Sequence, residues 1–475
     1  MKRFLNSPTL MTWMSYSTKA LALFGILPLV LKLFSPGDIV LWYLFATIIT
    51  MQSLADFGFR QTFSRIISYA FKGVSEIVVY TGKNNTTVQS DGEPNLPLLN
   101  DIVANMKYIY LRLTLIIFVI MSVAGTWVMY KPTQQASNIT EAWYSWAIVL
   151  VVSCISFYGR LYMNFLEGLF KIALVRRVET LTSLGSIICS ILVLLFAPTL
   201  LNLILVNQLW VLVVTYRDYY LCKTTDNGFY LKVAKPLSFN KTLFSKIWPP
   251  AWRSGISGLM SIGLTNATGI IYAQVGSTAD VAAYLLALRI ISQIRDISMA
   301  PFYSKLPLLA MLRAKNDLLT LIKTVKRGML LSHSVFLIGV ITIGIFSNSF
   351  LHIIGSDVQF VTPMLWALLS LAFFAHRFGA MHIQVYLSTN HVISHIADGV
   401  SGIIYISVSL LLVSSMGIYA IPVGMLAGYL GFYAWYAAKN SYQSMNVNFW
   451  DFEKNTTFLP FTIAITYFII SLCFK

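Results

Sequence analysis

The chain has 475 residues, of which 57% are hydrophobic and only 11% charged, with a net charge of +16. Soluble domains carry about 25% charged residues, so this composition excludes a soluble globular protein and reads as an all-α polytopic membrane protein. The basic excess would suggest nucleic acid in a soluble protein; here the positive-inside rule accounts for it, and nucleic acid is not an expected partner.

Windows of about twenty residues predict spans over 14–33, 39–58, 108–130, 142–163, 178–197, 199–220, 251–273, 281–300, 328–346, 361–387, 393–413, 419–438 and 457–474. That is twelve transmembrane helices plus an additional C-terminal hydrophobic helix, which either spans or lies at the interface. Lys2 and Arg3 precede a first segment too long for a signal-peptide core, so it is expected to stay as a helix. With the N-terminus in the cytoplasm, 26 of the 34 Lys and Arg fall on inner segments and one, Lys131, on an outer loop. That bias sets the orientation. Residues 72–107 form a polar inner insert. The expected domains are an N-terminal six-helix lobe at 1–220, a cytoplasmic linker at 221–247, a C-terminal six-helix lobe at 248–438, and a loop with the final helix at 439–475.

Span one carries Lys19 on a small, polar side, and Lys32 near its outer end. Each fits an interfacial anchor or a ligand. Span two ends near Asp56, as span eight ends near Asp296. Span seven opens with Trp252-Arg253-Ser254, as span one opens with Trp13-Met14-Ser15. Asp38-Ile39-Val40 and Asp280-Val281-Ala282 likewise open spans two and eight, a short internal repeat. Transporter folds are commonly built from repeats with the substrate site between them. Ser254, Ser257, Ser261, Thr265 and Thr268 share one face of span seven, thinned by Gly255, Gly258 and Gly263. That face suits tight helix packing or a polar cavity wall. Arg253, at the inner end, can snorkel to headgroups.

Span eight is the most informative. Arg289, Ser292, Gln293 and Asp296 recur at i, i+3, i+4 and i+7, one helical face that lipid does not tolerate. Arg289 and Asp296 lie two turns, about 11 Å, apart, too far for a direct pair. Span ten carries His376, Arg377 and His382. A cation at the centre of a bilayer costs roughly 2.5–3.5 kcal/mol on insertion scales and is tolerated beside water or an anion. Acidic residues number only 18, so the expectation is a central cationic cavity. Its candidate substrate-binding residues are Lys19, Lys32, Arg65, Arg253, Arg289 and Arg377. Its wall is drawn from Ser254, Ser257, Ser261, Thr265, Ser292 and Gln293. Asp56, Asp296 and His376 are the candidates for coupling to Na+ or H+.

The four cysteines have no paired spacing and suggest neither a disulfide framework nor a metal site. No paired carboxylates or phosphate-binding glycine loop appear, and the longest outer loop holds only His352 and Asp357. An enzyme is therefore not expected.

The stretch Asp56-Phe57-Gly58 followed by Ser64-Arg65 resembles the end of helix two in bacterial polysaccharide flippases of the Wzx type. These belong to the multidrug/oligosaccharidyl-lipid/polysaccharide exporter superfamily. Tyr284–Ile290, followed by Ala300-Pro301-Phe302-Tyr303-Ser304-Lys305-Leu306-Pro307, is similar to their helix-eight region. The resemblance implies two six-helix lobes around a cationic cavity in a bacterial inner membrane. It also implies alternating access and translocation of an undecaprenyl-diphosphate-linked oligosaccharide, an O-antigen or capsule repeat unit. Membrane lipid and the polysaccharide polymerase machinery are the further partners it suggests. Arginine's fork suits such a phosphate bidentately. The alternative is a cation-coupled multidrug exporter of the same fold, whose cavity should offer carboxylates. A membrane polymerase or ligase ranks below both.

Overall fold

The computed structural model describes residues 18, 21, 25–73, 93–233, 238–314, 317–389 and 392–473. Lys19, the opening Trp13–Ser15 and most of the polar insert at 72–107 lie outside them. Among the described residues the chain is all-helical, without a strand. Each expected span from 39–58 onward falls on a helix, and residues 25–33 of the first span are helical.

The helices form two compact units, the first reaching Gln274 and the second starting at Val275. The first holds α1 (25–33), α2 (Pro36–Leu54), α3 (Phe59–Phe71), α4 (Leu96–Thr133), α5 (Ile139–Gly168), α6 (Ile172–Phe196), α7 (Leu200–Thr224), the short α8 (Phe229–Val233) and α9 (Lys241–Val275, whose last residue opens the second unit). The second holds α10 (Thr278–Tyr303), α11 (Leu306–Ala314), α12 (Leu318–Ile354), α13 (Pro363–Leu387), α14 (Ser394–Met416), α15 (420–445), α16 (Phe449–Glu453) and α17 (Phe458–Cys473). Among the described residues eight helical stretches, with Ser394–Met445 taken as one, are long and apolar enough to cross a membrane. The protein is a multi-pass membrane protein.

Local chemistry starts these helices where the sequence changes. Ser35, Asn95, Asn138, Thr199, Asn240, Ser277, Asp317 and Thr362 each accept a first-turn backbone N–H, and proline follows directly at Pro36 and Pro363. The internal repeat is visible here. Ser35 caps α2 at φ −65°, ψ 156° and its hydroxyl donates to the Asp38 carboxylate at 2.8 Å. Ser277 caps α10 at φ −66°, ψ 153° and donates to Asp280 at 2.6 Å. The stretch Ser394–Met445 would be about 78 Å long as one straight helix. Gly417, at φ +54°, breaks it into the hairpin α14–α15. A Cβ at Gly424 or Gly428 would collide with Ser409 or with the Ser401 carbonyl, so the two helices pack backbone against backbone.

In the first unit α5 packs on α3, α4 and α7, with α6 against α7. The expected linker at 221–247 is partly helical, since α8 packs back on α4 and α7. Span seven, assigned by hydropathy to the second lobe, packs with the first unit, and both its ends are bonded to α4. Asn240 N–H donates to Asn105 Oδ1 at 3.1 Å; at the other end Gln274 Nε2 donates to the Val128 carbonyl at 3.0 Å, and Lys131 donates to the Gln274 carbonyl. By its contacts span seven therefore belongs to the first compact unit. In the second unit α13 is the most deeply buried span and touches α10, α12, α15 and α17. The final helix α17 packs along α12 and α13.

Candidate functional site

The Asp-x-Gly signature is a turn. Asp56 follows α2 in the turn, Phe57 and Gly58 both take positive φ (46° and 73°), and the Asp56 carboxylate accepts the Gly58 N–H at 2.9 Å. Glycine is required at 58, since a Cβ there would meet Ser254 Cβ at 2.5 Å and the Ala251 carbonyl at 2.7 Å. Asp56 is buried, with Arg160 and Arg60 in electrostatic reach of its carboxylate. Arg60 also pairs with Glu167 at 2.9 Å, Arg176 lies 3.6 Å from Glu167, and Arg176 pairs with Glu179 at 2.8 Å. This chain of charge ties α3, α5 and α6 together. Of the sequence candidates here, Lys32, Arg65 and Arg253 are exposed, with Arg253 beside the Trp252 ring.

The small face of α9 serves packing at several positions. A Cβ on Gly255 would meet the Phe57 backbone at 2.8–2.9 Å, and Gly258 and Gly263 face Leu54. Ser261 and Thr265 spend their hydroxyls on the helix itself, donating to the carbonyls of Ser257 (2.7 Å) and Ser261 (2.9 Å). Ser254, Ser257 and Ser261 are half-buried and Thr265 is buried.

In the second unit α10 displays the stripe read from sequence. Arg289 and Asp296 are exposed and Ser292 and Gln293 half-buried, whereas Leu285, Leu288 and Ile291 are packed. The Asp296 carboxylate accepts from its chain neighbour Arg295 at 2.9 Å, a local ion pair at the end of the stripe.

Arg377, expected on a cavity wall, is fully enclosed. It has no exposed surface, donates one hydrogen bond from Nη2 to the Ser332 carbonyl at 2.7 Å, and lies 4.4 Å over the Phe336 ring. Its Nε and Nη1 have no partner among the described residues. The reason is its place at the contact of α12 with α13, the unit's most buried span. His376, next to it, stacks on Tyr433 (5.2 Å, 11°) and lies 4.9 Å from Tyr429.

One turn further along α13 is a group that the sequence reading left unassigned. His382 Nε2 lies 3.1 Å from Glu453 Oε1, the Tyr442 hydroxyl donates to the same oxygen at 2.6 Å, and Thr456 donates to Oε2 at 2.8 Å. His333 Nε2 lies 3.4 Å from the Thr457 hydroxyl. Ser332 Oγ, His333 Nδ1 and His382 Nδ1 are also unpartnered among the described residues. Buried polar groups are normally satisfied. This interior therefore stores donor and acceptor capacity that a water, a proton or an anion would use. His382 was visible in sequence; Glu453, 71 positions away, carried no signal of pairing with it.

No protein-family model matches the chain, and no curated protein matches it. Solved structures do. An inward-facing multidrug resistance MATE family transporter of the MOP superfamily aligns at TM-score 0.65 and 12% identity, covering 93% of this chain and 95% of that one. The MATE multidrug transporter DinF-BH, solved as a complex, aligns at 0.62 and 13%, covering 94% and 97%. A mutant of the Vibrio cholerae MATE transporter VcmN aligns at 0.57 and 12%, covering 94% and 98%. The chain has the two-lobed, all-helical fold of these transporters over nearly its full length. At this identity the likeness is one of fold.

Proposed function

We propose that the protein is an exporter working by alternating access, and that its substrate carries an anionic head: an undecaprenyl-diphosphate-linked oligosaccharide of the O-antigen or capsule repeat type. The observation that carries this reading is the exposed Arg289 face of α10, a stripe that lipid does not tolerate. Arg377, enclosed in the second unit with no hydrogen-bonded carboxylate among the described residues, supports it as a second cation. Four of the five buried carboxylates among the described residues have other occupations: Asp38 accepts from Ser35 and Ser137, Asp56 answers Gly58 and two arginines, Asp218 pairs with Arg217, and Glu453 answers His382, Tyr442 and Thr456. A cationic drug would find little to pair with among them. On this reading Lys19, Lys32, Arg65, Arg253 and Arg289 attract the diphosphate, and coupling to H+ or Na+ falls to the interior of the second unit or to Asp56, Asp296 and His376. The expected setting is the bacterial inner membrane with a cytoplasmic N-terminus.

A specific observation favours the second reading, a cation-coupled multidrug exporter. The matched structures are multidrug transporters, and by fold alone they support it better than the first. One experiment separates the two. The gene is deleted in its own host and restored from a plasmid, and surface polysaccharide and drug susceptibility are both measured. The lipid-linked reading expects loss of surface polysaccharide on deletion and recovery with the wild-type gene, at unchanged drug susceptibility. Raised susceptibility with intact polysaccharide supports the drug exporter and overturns the first reading.

A further inference from the structure

Two clefts of the second unit join into one groove. A cleft of about 740 Å3 and an apolar groove of about 260 Å3 share Phe378, Leu430, Ala434 and Phe449 as lining. The narrow part is walled by α13, α15 and α17, with aromatic residues such as Phe374 and Phe461, and presents no polar surface. The wide part opens at the end of α15, where Lys439, Gln443, Asn446 and Asn448 line it. Lys439 lies nine residues, about 13 Å, along α15 from Leu430.

Two lysines stand at the mouth. Lys439 is exposed, and Lys454 stands on the rim of the narrow part. The nearest opposing carboxylate, Asp451, is 3.7 Å from Lys454, with both groups well exposed, and such pairs contribute little. The acid that lines the groove, Glu453, is turned inward to His382, Tyr442 and Thr456. Trp435 and Trp450 stand exposed near the mouth, as tryptophan does at headgroup depth. A second basic cleft, with Lys323, Lys326 and Arg327, adjoins at Asn455.

We propose that this groove is a phospholipid site: the phosphate of an anionic inner-leaflet lipid sits at Lys439 and Lys454, and one acyl chain lies in the apolar part between α13 and α17. An aliphatic tail suits a channel without polar surface, and a phosphate suits a lysine ammonium on each of the two adjoining clefts. The proposal stands whichever substrate is exported.

The test uses the full chain purified in mild detergent. Native mass spectrometry and thermal melting are read with phosphatidylglycerol and with phosphatidylcholine of identical chains. One tightly held phospholipid per chain is expected, with phosphatidylglycerol raising Tm more than phosphatidylcholine. Lys439→Ala with Lys454→Ala should weaken phosphatidylglycerol binding by roughly thirtyfold and erase the headgroup preference. Leu430→Trp, at an exposed position, should expel both lipids by filling the junction. Lipid-free melting of each variant serves as the folding control. Equal stabilisation by the two lipids, binding unchanged in the lysine variant, or lipid retained by Leu430→Trp would each overturn the proposal. So would a co-purifying prenyl diphosphate in place of the phospholipid, which would make the groove a rest for a substrate tail.

Discussion

A guanidinium with no exposed surface ordinarily has a carboxylate beside it; Arg377 has a carbonyl and an aromatic ring. A buried cation without a paired carboxylate carries a desolvation cost that no Coulombic attraction offsets, so an apolar group of similar volume should be tolerated in its place. Arg377→Met is therefore expected to melt at or above the wild-type temperature in detergent; melting well below it would mark Arg377 as a structural element. Glu453, in the connection between α15 and α17, makes the opposite kind of contribution. Burial alone would raise its pKa, but hydrogen bonds and charge from His382, with bonds from a threonine and Tyr442, outweigh burial and bring it to about 2. A folded pKa below the unfolded one means stability that is full above the unfolded value and fades as pH falls toward 2. Melting of the wild type should drop between about pH 4.5 and 2, and Glu453→Gln should flatten that part of the curve; identical slopes would disprove the coupling. Sequence marked Arg377 because a cation in an apolar run is conspicuous. It could not mark Glu453, whose partners come from α13, α15 and its own turn and are joined only by the fold.

At the scale of elements, the spans were legible because hydropathy and caps act locally, and each is set by a few neighbouring residues. What hydropathy cannot carry is which helix a span packs against. Span seven follows this rule: its glycines show on the sequence, but their partner, the positive-φ turn at Phe57–Gly58, comes into view only in the fold. The same closeness makes a prediction. Gly255→Ala puts a methyl within 3 Å of the Phe57 backbone, and Gly58→Ala adds a strained left-handed residue to a contact of 2.5 Å. Each should cost about 1–3 kcal/mol, read as a lower melting temperature, whereas Gly431→Ala, with open space around it, should cost less. Equal effects at all three positions would mean that α9 is not held against that turn.

For the molecule as a whole, a two-lobed architecture followed from the repeat and the family resemblance, and the matched transporters have it over more than nine-tenths of their length. Substrate class is a different matter, since fold is shared across transporters of different cargo and the deciding groups are few: Arg289 and Arg377 on one side of the question, the occupied carboxylates on the other. The most direct measurement reconstitutes the purified chain in vesicles with a lipid-diphosphate-linked oligosaccharide in one leaflet and follows its headgroup to the other, alongside uptake of a cationic fluorescent dye in the same vesicles. Transfer of the oligosaccharide by the wild type, its loss in Arg289→Ala at unchanged fold, and no dye movement is the predicted result. Dye transport without headgroup transfer, or headgroup transfer undiminished in Arg289→Ala, would contradict it.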